Sequence, residues 1–161
     1  MLKNSFKIIY HYLMYYDERT NYKARFLIWC NNKNCFKWFC HILRQNLAKK
    51  NHIIFPCKPQ IGSGLVLAHP QNIVIGQDVK IGNNCLIYQD VTIGQNHGIY
   101  PSIGDNVIIY PGAKVIGDVT VGNNVVIGAN AVVTSDIQDN AIVAGIPAKF
   151  IRFRERQDEF N

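Results

Sequence analysis

Two histidines, His69 and His97, each lie where a regular pattern in this 161-residue chain is interrupted. His69 belongs to the segment LAHPQNIVIG, residues 67–76, and His97 to the segment QNHGIYPS, residues 95–102. An imidazole ring takes up and releases a proton near neutral pH, so it can act as a general acid or base. The two interruptions are therefore where we look for chemistry.

The pattern itself is an aliphatic residue, often followed by Gly, at every sixth position. It comprises Ile75, Ile81, Ile87 and Ile93, then, after the second interruption, Ile103, Ile109, Val115, Val121, Ile127 and Val133. Four residues after each aliphatic position except Ile93 stands a small or branched residue, such as Val79, Cys85 or Val91. A six-residue period is one short strand and a turn, and such units bury their apolar face only by stacking. The pattern predicts a parallel β-helix of about five coils between Ile61 and Pro147.

The beginning of the chain is different. All twelve Gly and all six Pro lie between Pro56 and Pro147, and residues 1–50 contain neither. Apolar residues there recur at three- and four-residue spacing: Phe6, Ile9, Tyr10, Leu13, Phe26, Trp29, Phe36, Phe39, Leu43 and Leu47. This predicts two or three helices, with breaks near Asp17–Asn21 and Asn31–Asn34 and the aromatic stripe in the core. We divide the chain into a helical segment (1–54), a β-helix domain (55–148) and a tail (149–161).

Composition narrows the class of protein. With 48% hydrophobic and 17% charged residues the chain is globular. It shows no membrane-spanning run and no signal peptide, so we expect a cytoplasmic protein. Residues 1–60 hold eleven basic and two acidic residues, whereas residues 61–148 hold two basic and six acidic ones. The basic part is either a solvated helical surface or a surface that attracts an anionic membrane or glycan. No nucleic-acid motif is present.

The five cysteines, Cys30, Cys35, Cys40, Cys57 and Cys85, are odd in number and lack CxxC spacing. Structural zinc sites usually pair ligands two to four residues apart. We therefore interpret the first three as reduced, buried helical residues and predict no metal site.

Four segments together resemble the hexapeptide-repeat acyltransferases and, within them, the serine O-acetyltransferase family. They are IGSGLVLAHPQNIVIG, IYQDVTIG, PSIGDNVIIYPGAKVIGDVTVGNNVVIGANAVV and VAGIPAK, and the resemblance covers residues 55–150. It implies a left-handed parallel β-helix, a homotrimer, and acetyl-CoA bound in a cleft between neighbouring subunits.

The resemblance also implies that His69 is a general base that takes the proton of a hydroxyl as it attacks the thioester. The chain departs from the family nearby. Ala68 and Ile54 replace two family aspartates, one at the acceptor site and one that orients the imidazole. Tyr100 replaces a second family histidine, and His97 lies three residues upstream of it. The catalytic candidates are His69, His97 and Tyr100.

For acetyl-CoA the resemblance implies contacts with small residues and a terminal cation. The positions are Gly112, Ala113, Gly128 and Ala129 along the pantetheine arm, Gly145, Pro147 and Ala148 at the adenine end, and Lys149, with Arg152 behind it, at the 3′-phosphate. Backbone N–H groups near Gly94 are candidate donors to the oxyanion. Simple turn chemistry explains each small residue equally well, and Lys149 could be a solvated terminal residue.

The missing aspartates decide the expected acceptor. Without them the groups that hold a serine ammonium and carboxylate are largely lost, and a sugar hydroxyl needs no such partners. We therefore expect a member of a short subgroup that O-acetylates sugars in capsule or lipopolysaccharide synthesis, with serine O-acetylation as the alternative. A zinc carbonic anhydrase on the same fold needs three histidines, and the repeat region offers two. A non-catalytic binding trimer is the remaining alternative.

Overall fold

The computed structural model describes residues 16–33 and 37–155. Two helices, α1 (Tyr16–Lys33) and α2 (Lys37–Asn51), precede a long series of short strands. The predictions made for Phe6, Ile9, Tyr10, Leu13, Cys35 and Phe36 concern residues outside these ranges.

The strands are two to five residues long and follow each other around a coil. They are β1 (Gln60–Ile61), β2 (Val66–Leu67), β3 (Val74–Ile75), β4 (Lys80–Ile81), β5 (Leu86–Ile87), β6 (Thr92–Gly94), β7 (Ser102–Ile103), β8 (Ile108–Ile109), β9 (Lys114–Ile116), β10 (Thr120–Val121), β11 (Val126–Ile127), β12 (Val132–Val133), β13 (Ala141–Ala144) and β14 (Lys149–Phe153).

From β4 to β12, each strand pairs in parallel with the strand three places earlier in the chain, and this makes three flat faces. The sheets have the orders β1-β4-β7-β10, β2-β5-β8-β11-β13-β14 and β3-β6-β9-β12. The result is a parallel β-helix, as the repeat predicted, and it is left-handed, as the resemblance implied. It has four complete coils rather than the five expected, because the two interruptions and the end of the chain use residues that do not form repeats. In the last pair, β14 runs antiparallel to β13.

The interior of the coil is filled by the two series of residues identified in the sequence. Every aliphatic residue from Ile75 to Val133 in the six-residue series is buried, and so are the small or branched residues that follow four positions later. In-register pairs such as Ile87 on Ile109 and Ile109 on Ile127 stack like on like. The period alone therefore predicted the core correctly.

The helical segment departs from its prediction in two respects. Helix α1 runs from Tyr16 to Lys33, so the break expected near Asp17–Asn21 is absent, because that stretch contains no Gly or Pro to end a helix. The break expected near residues 31–34 is confirmed by the end of α1. The aromatic stripe is only partly core: Leu47 is buried, but Trp29 is 49% and Phe39 44% exposed. The expected attraction of this basic surface to an anionic partner stays a prediction.

Helix α1 covers the open edge of the first coil. Strand β2 is the outermost strand of its sheet, so its outward backbone groups have no strand to pair with. Asn21 accepts a hydrogen bond from the Leu67 N–H at 2.6 Å and donates one to the Leu67 carbonyl at 2.8 Å. Arg25 Nε donates to the Leu65 carbonyl at 3.0 Å. Side chains of α1 therefore form hydrogen bonds with backbone groups that a neighbouring strand would otherwise pair with.

The described cysteines are all free thiols. Cys30 and Cys40 are buried on the helices, as predicted. Burial raises the pKa of Cys85 to about 11, which keeps this core thiol protonated and unreactive near neutral pH. Among residues 16–33 and 37–155 no three His, Cys, Asp or Glu side chains are grouped to hold a metal ion. No helix in these ranges is long and apolar enough to cross a membrane.

Candidate active site

His69 lies in a two-residue insert at the corner that follows β2. The Ala68 N–H donates to the Ile87 carbonyl of the next coil, and the Asp90 N–H donates to the Gln71 carbonyl, both in the regular pattern of the coil. His69 and Pro70 are the residues between these two bonds, and the next coil has no counterpart to them. His69 has a left-handed backbone (φ 47°) and an exposed side chain. The insert therefore moves the imidazole away from the buried ladder.

The helices hold this insert in place. Asn51, at the end of α2, donates from Nδ2 to the Pro70 carbonyl at 3.0 Å and to Thr20 Oγ1 at 3.2 Å. The Asn72 N–H donates to the Asn51 carbonyl at 3.0 Å. Asn51 and Thr20 are each 1% exposed. The helical segment thus positions the corner that carries His69, and the sequence analysis missed this role of Asn51.

Two tyrosines continue from His69 along the same edge of the coil. The rings of Tyr88 and Tyr110 stack with centroids 5.3 Å apart and planes 21° apart, and the His69 and Tyr88 centroids are 6.5 Å apart. Both tyrosines follow the aliphatic position of a repeat, where Gly is common. A tyrosine in place of that glycine is the sequence signal for this pair of stacked rings.

The residues expected to contact acetyl-CoA lie further along this edge. The register Leu67–Ile87–Ile109 continues through Ile127 to Val143. The turns after Leu67, Ile109, Ile127 and Val143 hold the His69 insert, Gly112, Gly128–Ala129 and Gly145, and the turn after Ile87 holds Tyr88 and Gln89. At about 4.8 Å per coil, His69 and Gly145 are about 19 Å apart along the axis. Lys149 begins β14, pairs with Ala144 and is exposed; Pro147 is exposed and Ala148 half-buried.

The fold itself accounts for some of these small residues. Gly112 has a φ of 75°, and a Cβ there would lie 2.1 Å from Asn130 Oδ1. A Cβ at Gly128 would lie 2.8 Å from that of Ala144. Ala113 is fully buried; its N–H donates to the Tyr110 carbonyl, and its carbonyl accepts from Thr92. Ala113 therefore offers a ligand neither a side chain nor an unused backbone group.

Gly94 is a contrasting case. All twelve glycines lie in the described part of the chain, and each of the others has either a positive φ or a neighbour that crowds an added Cβ. At Gly94 the nearest atoms to such a Cβ are 3.7 Å and 3.8 Å away, on Ile116 and Thr92. Packing within the chain therefore does not require glycine at this position.

Gly94, His97 and Tyr100 lie on a different edge, after β6. His97 is exposed in a loop closed by a bridge between Asn96 and Ile99. Tyr100 packs over Gly76, where an added Cβ would lie 2.7 Å from the tyrosine ring. A single chain therefore does not bring these residues together with His69, which follows β2.

The positions of the two missing aspartates carry no polar side chain. Ala68 precedes His69, and Ile54 is 57% exposed and bridges to Val74. A different polar atom lies above the insert: Gln89 Oε1 is buried and has no hydrogen-bond donor among the described residues.

Comparison with known proteins agrees with this architecture. The family model described as bacterial transferase hexapeptide (six repeats) matches residues 100–135. A serine acetyltransferase of Staphylococcus xylosus is 43% identical over 100 residues, which cover 58% of this chain and 45% of that protein. A solved serine acetyltransferase in complex with CoA superposes with a TM-score of 0.75 at 29% identity, over 88% of this chain and 60% of that one. The Neisseria gonorrhoeae serine acetyltransferase in complex with serine gives 0.76 at 27% identity, over 88% and 59%.

The fold and its repeats define the chain as a left-handed β-helix protein of the hexapeptide-repeat type. Its homologues are serine acetyltransferases, and the chain spans about half the length of the curated relatives it matches. The finer prediction of a short polysaccharide O-acetyltransferase subgroup is not supported, since these matches are to serine acetyltransferases. That prediction relied on the absence of two aspartates, and it gave the rest of the segment too little weight.

Proposed function

We propose that the chain is an O-acyltransferase that uses acetyl-CoA, with His69 as general base. The observation that carries the proposal is the two-residue insert, which holds an exposed imidazole at the edge where the CoA-contact candidates line up. His69 takes the proton of the acceptor hydroxyl while the oxygen attacks the thioester carbonyl. The C–S bond then breaks, and the CoA thiolate takes that proton from the imidazolium.

The acceptor that the relatives favour is the hydroxyl of L-serine. The matches above are to proteins named serine acetyltransferase, and one solved relative is a complex with serine. A CoA thioester donor agrees with the cytoplasmic location expected from the sequence. The proposed reaction yields O-acetylserine and free CoA.

A sugar hydroxyl is the second candidate acceptor, and one observation favours it. The Tyr88–Tyr110 stack lies beside His69, where Ala68 and Ile54 supply no carboxylate for an ammonium group. A flat aromatic surface suits the apolar face of a sugar ring, and a tyrosine hydroxyl can donate to its oxygens.

Release of the CoA thiol tests the function and separates the acceptors. The protein is mixed with acetyl-CoA alone, with L-serine, and with a panel of monosaccharides. Thiol release that depends on serine supports the main proposal, and release that depends on a sugar supports the second. If no acceptor raises the rate of thiol release above the rate with acetyl-CoA alone, the result contradicts the transferase and favours a binding protein.

We further propose a homotrimer with shared sites. The His69 edge and the Gly94–His97–Tyr100 edge of one chain lie on different corners of the coil, so a neighbouring copy must supply the second half of each site. A head-to-tail contact of this kind closes into a ring when three copies meet.

Complementation between two inactive variants is the first prediction. His69→Ala and His97→Ala each remove one half of the site, and each is expected to be inactive alone. When equal amounts of the two variants assemble at random, about one quarter of all sites take both intact halves, from different subunits, so activity should return. The measurement is turnover after co-expression. Mixed trimers that stay inactive, although either variant pairs normally with wild type, would contradict the shared site.

Lys149→Glu is the second prediction. The change puts a negative charge where the 3′-phosphate of CoA is expected, so KM for acetyl-CoA should rise about tenfold or more while kcat changes little. Lys80→Glu is the control, because Lys80 is also exposed but lies on a different face of the coil. Equal KM values for both variants would make Lys149 a solvated residue.

A further inference from the structure

The two helices expose an aromatic and basic surface that has no part in the proposed reaction. Its centre is a groove of about 460 Å³ between α1 and α2, whose apolar lining comprises Tyr22, Phe26, Trp29, Phe39 and Leu43. The centroid of the Phe26 ring is 5.7 Å from those of Trp29 and Phe39, so rings from both helices form one cluster. Trp29 and Phe39 are nevertheless about half exposed.

The apolar surface continues along α2. Trp38 and Ile42 are four residues apart, and they lie about 100° around the helix from Phe39 and Leu43. Trp38 is 77% and Ile42 41% exposed. Lys49 follows on the same side of the helix and is also exposed. A single exposed apolar side chain is ordinary, but a contiguous group is typical of an interaction surface. We call the groove, together with Trp38 and Ile42, the helix patch.

Positive charge is concentrated at the helix patch. The two helices contain eight Lys and Arg residues against two acidic residues. Arg19, Lys23 and Arg25 line the groove, and none of the described residues that line it is acidic. Burial, together with the nearby charges of Lys50 and Arg19, lowers the pKa of Lys23, so these cations are close enough to repel one another. A partner that covers the patch therefore has to supply negative charge as well as an apolar environment.

The surface of a bilayer that contains anionic lipids supplies both. Aromatic and aliphatic side chains are accommodated at the boundary between headgroups and acyl chains, while Lys and Arg side chains extend to the phosphate groups. A nucleic acid or an acidic polysaccharide would pair with the cations but would offer no apolar phase to an aliphatic side chain such as Ile42. A second copy of the helix patch would bring two positively charged surfaces together, and like-charge repulsion opposes that contact.

We propose that the helix patch binds the surface of membranes that contain anionic phospholipids. The rings of Trp29, Trp38 and Phe39 enter the headgroup region, and the surrounding cations pair with lipid phosphates. The contact is peripheral and reversible, because it combines a small apolar area with charge attraction. The inference is independent of the proposed reaction, so either can fail without the other.

Tryptophan fluorescence tests the proposal directly, because Trp29 and Trp38 are the only tryptophans in the chain and both belong to the helix patch. The full-length protein is titrated with phosphatidylcholine vesicles and with vesicles in which about 30% of the lipid is phosphatidylglycerol. Only the anionic vesicles should shift the emission to shorter wavelength, brominated acyl chains should quench it, and added salt should weaken the binding. An unchanged spectrum, or equal binding to both kinds of vesicle, would overturn the proposal.

Two matched pairs of variants assign the binding to the patch and keep both tryptophans. Lys49→Glu and Lys80→Glu change the net charge equally, but only Lys49→Glu should weaken vesicle binding, by about fivefold or more. Ile42→Ser should weaken it about threefold or more, because an apolar group is lost from the lipid contact. Ile99→Ser is its control, since Ile99 is 50% exposed on the β-helix. Equal effects within either pair would contradict a contact at the helix patch.

The same fluorescence identifies other occupants. If acrylamide cannot quench the tryptophans of the free protein, another part of the chain, such as its first fifteen residues, covers the patch. If the emission shifts with protein concentration while light scattering shows assembly beyond a trimer, the occupant is a second copy. If an acidic polysaccharide changes the emission and anionic vesicles do not, the surface binds glycan. Each of these results would overturn the membrane proposal.

Discussion

His69→Ala is expected to abolish acyl transfer and leave the β-helix intact. A lost general base typically costs about 10²–10⁴ in rate. The side chain is exposed and lies outside the buried ladder, so its removal leaves no cavity in the core. The proposed contacts with acetyl-CoA are on other residues, so CoA should still bind. Turnover, thermal melting and CoA titration measure the three effects separately.

His52→Ala is the matched control for this variant. His52 is also exposed and also has a left-handed backbone, with a φ of 53°. Both substitutions remove an imidazole and change the strain of the turn in the same way, so their melting temperatures should shift alike. Turnover should fall only for His69→Ala. A large fall in melting temperature confined to His69→Ala would instead show that this histidine has a structural role.

The β-helix could be predicted from the sequence because its physics is local and repeated. Each six-residue unit has the same task, to bury one aliphatic residue and turn a corner, so Ile75 and Val133 obey one rule although they are far apart in the chain. The number of coils was overestimated because a period does not say how many residues an interruption uses. The left-handed backbone conformation of His69 lies within such an interruption.

The support of the site could not be predicted, because it comes from contacts distant in sequence. Asn51 reads as an ordinary polar residue at a helix end, and only the fold brings its side chain to the Pro70 carbonyl. The aromatic stripe was misjudged for a related reason: a helical period shows which residues share a face, but not what covers that face. Trp29 on α1 and Phe39 on α2 each belong to such a stripe and remain half exposed.

Among the substitutions proposed here, Ile109→Ala is expected to cause the largest loss of unfolding free energy. Ile109 is fully buried in β8, a central strand of the six-stranded sheet, and stacks in register between Ile87 and Ile127. The ladders above and below are held by their own coils, so the space left by the side chain cannot close easily. Such a substitution costs about 2–5 kcal/mol of unfolding free energy. Denaturant unfolding at matched protein concentration measures it, because assembly contributes to apparent stability.

Ile54→Ala makes the same chemical change in the same chain at an exposed position. Ile54 is 57% exposed and bridges to Val74 only through its backbone. Its removal should cost within about 0.5 kcal/mol, as is usual for surface substitutions. The difference between the two variants therefore isolates the contribution of the buried ladder. Equal losses would mean that the free energy of the coil resides in its backbone hydrogen bonds, and that the stacked aliphatic residues mainly fix its register.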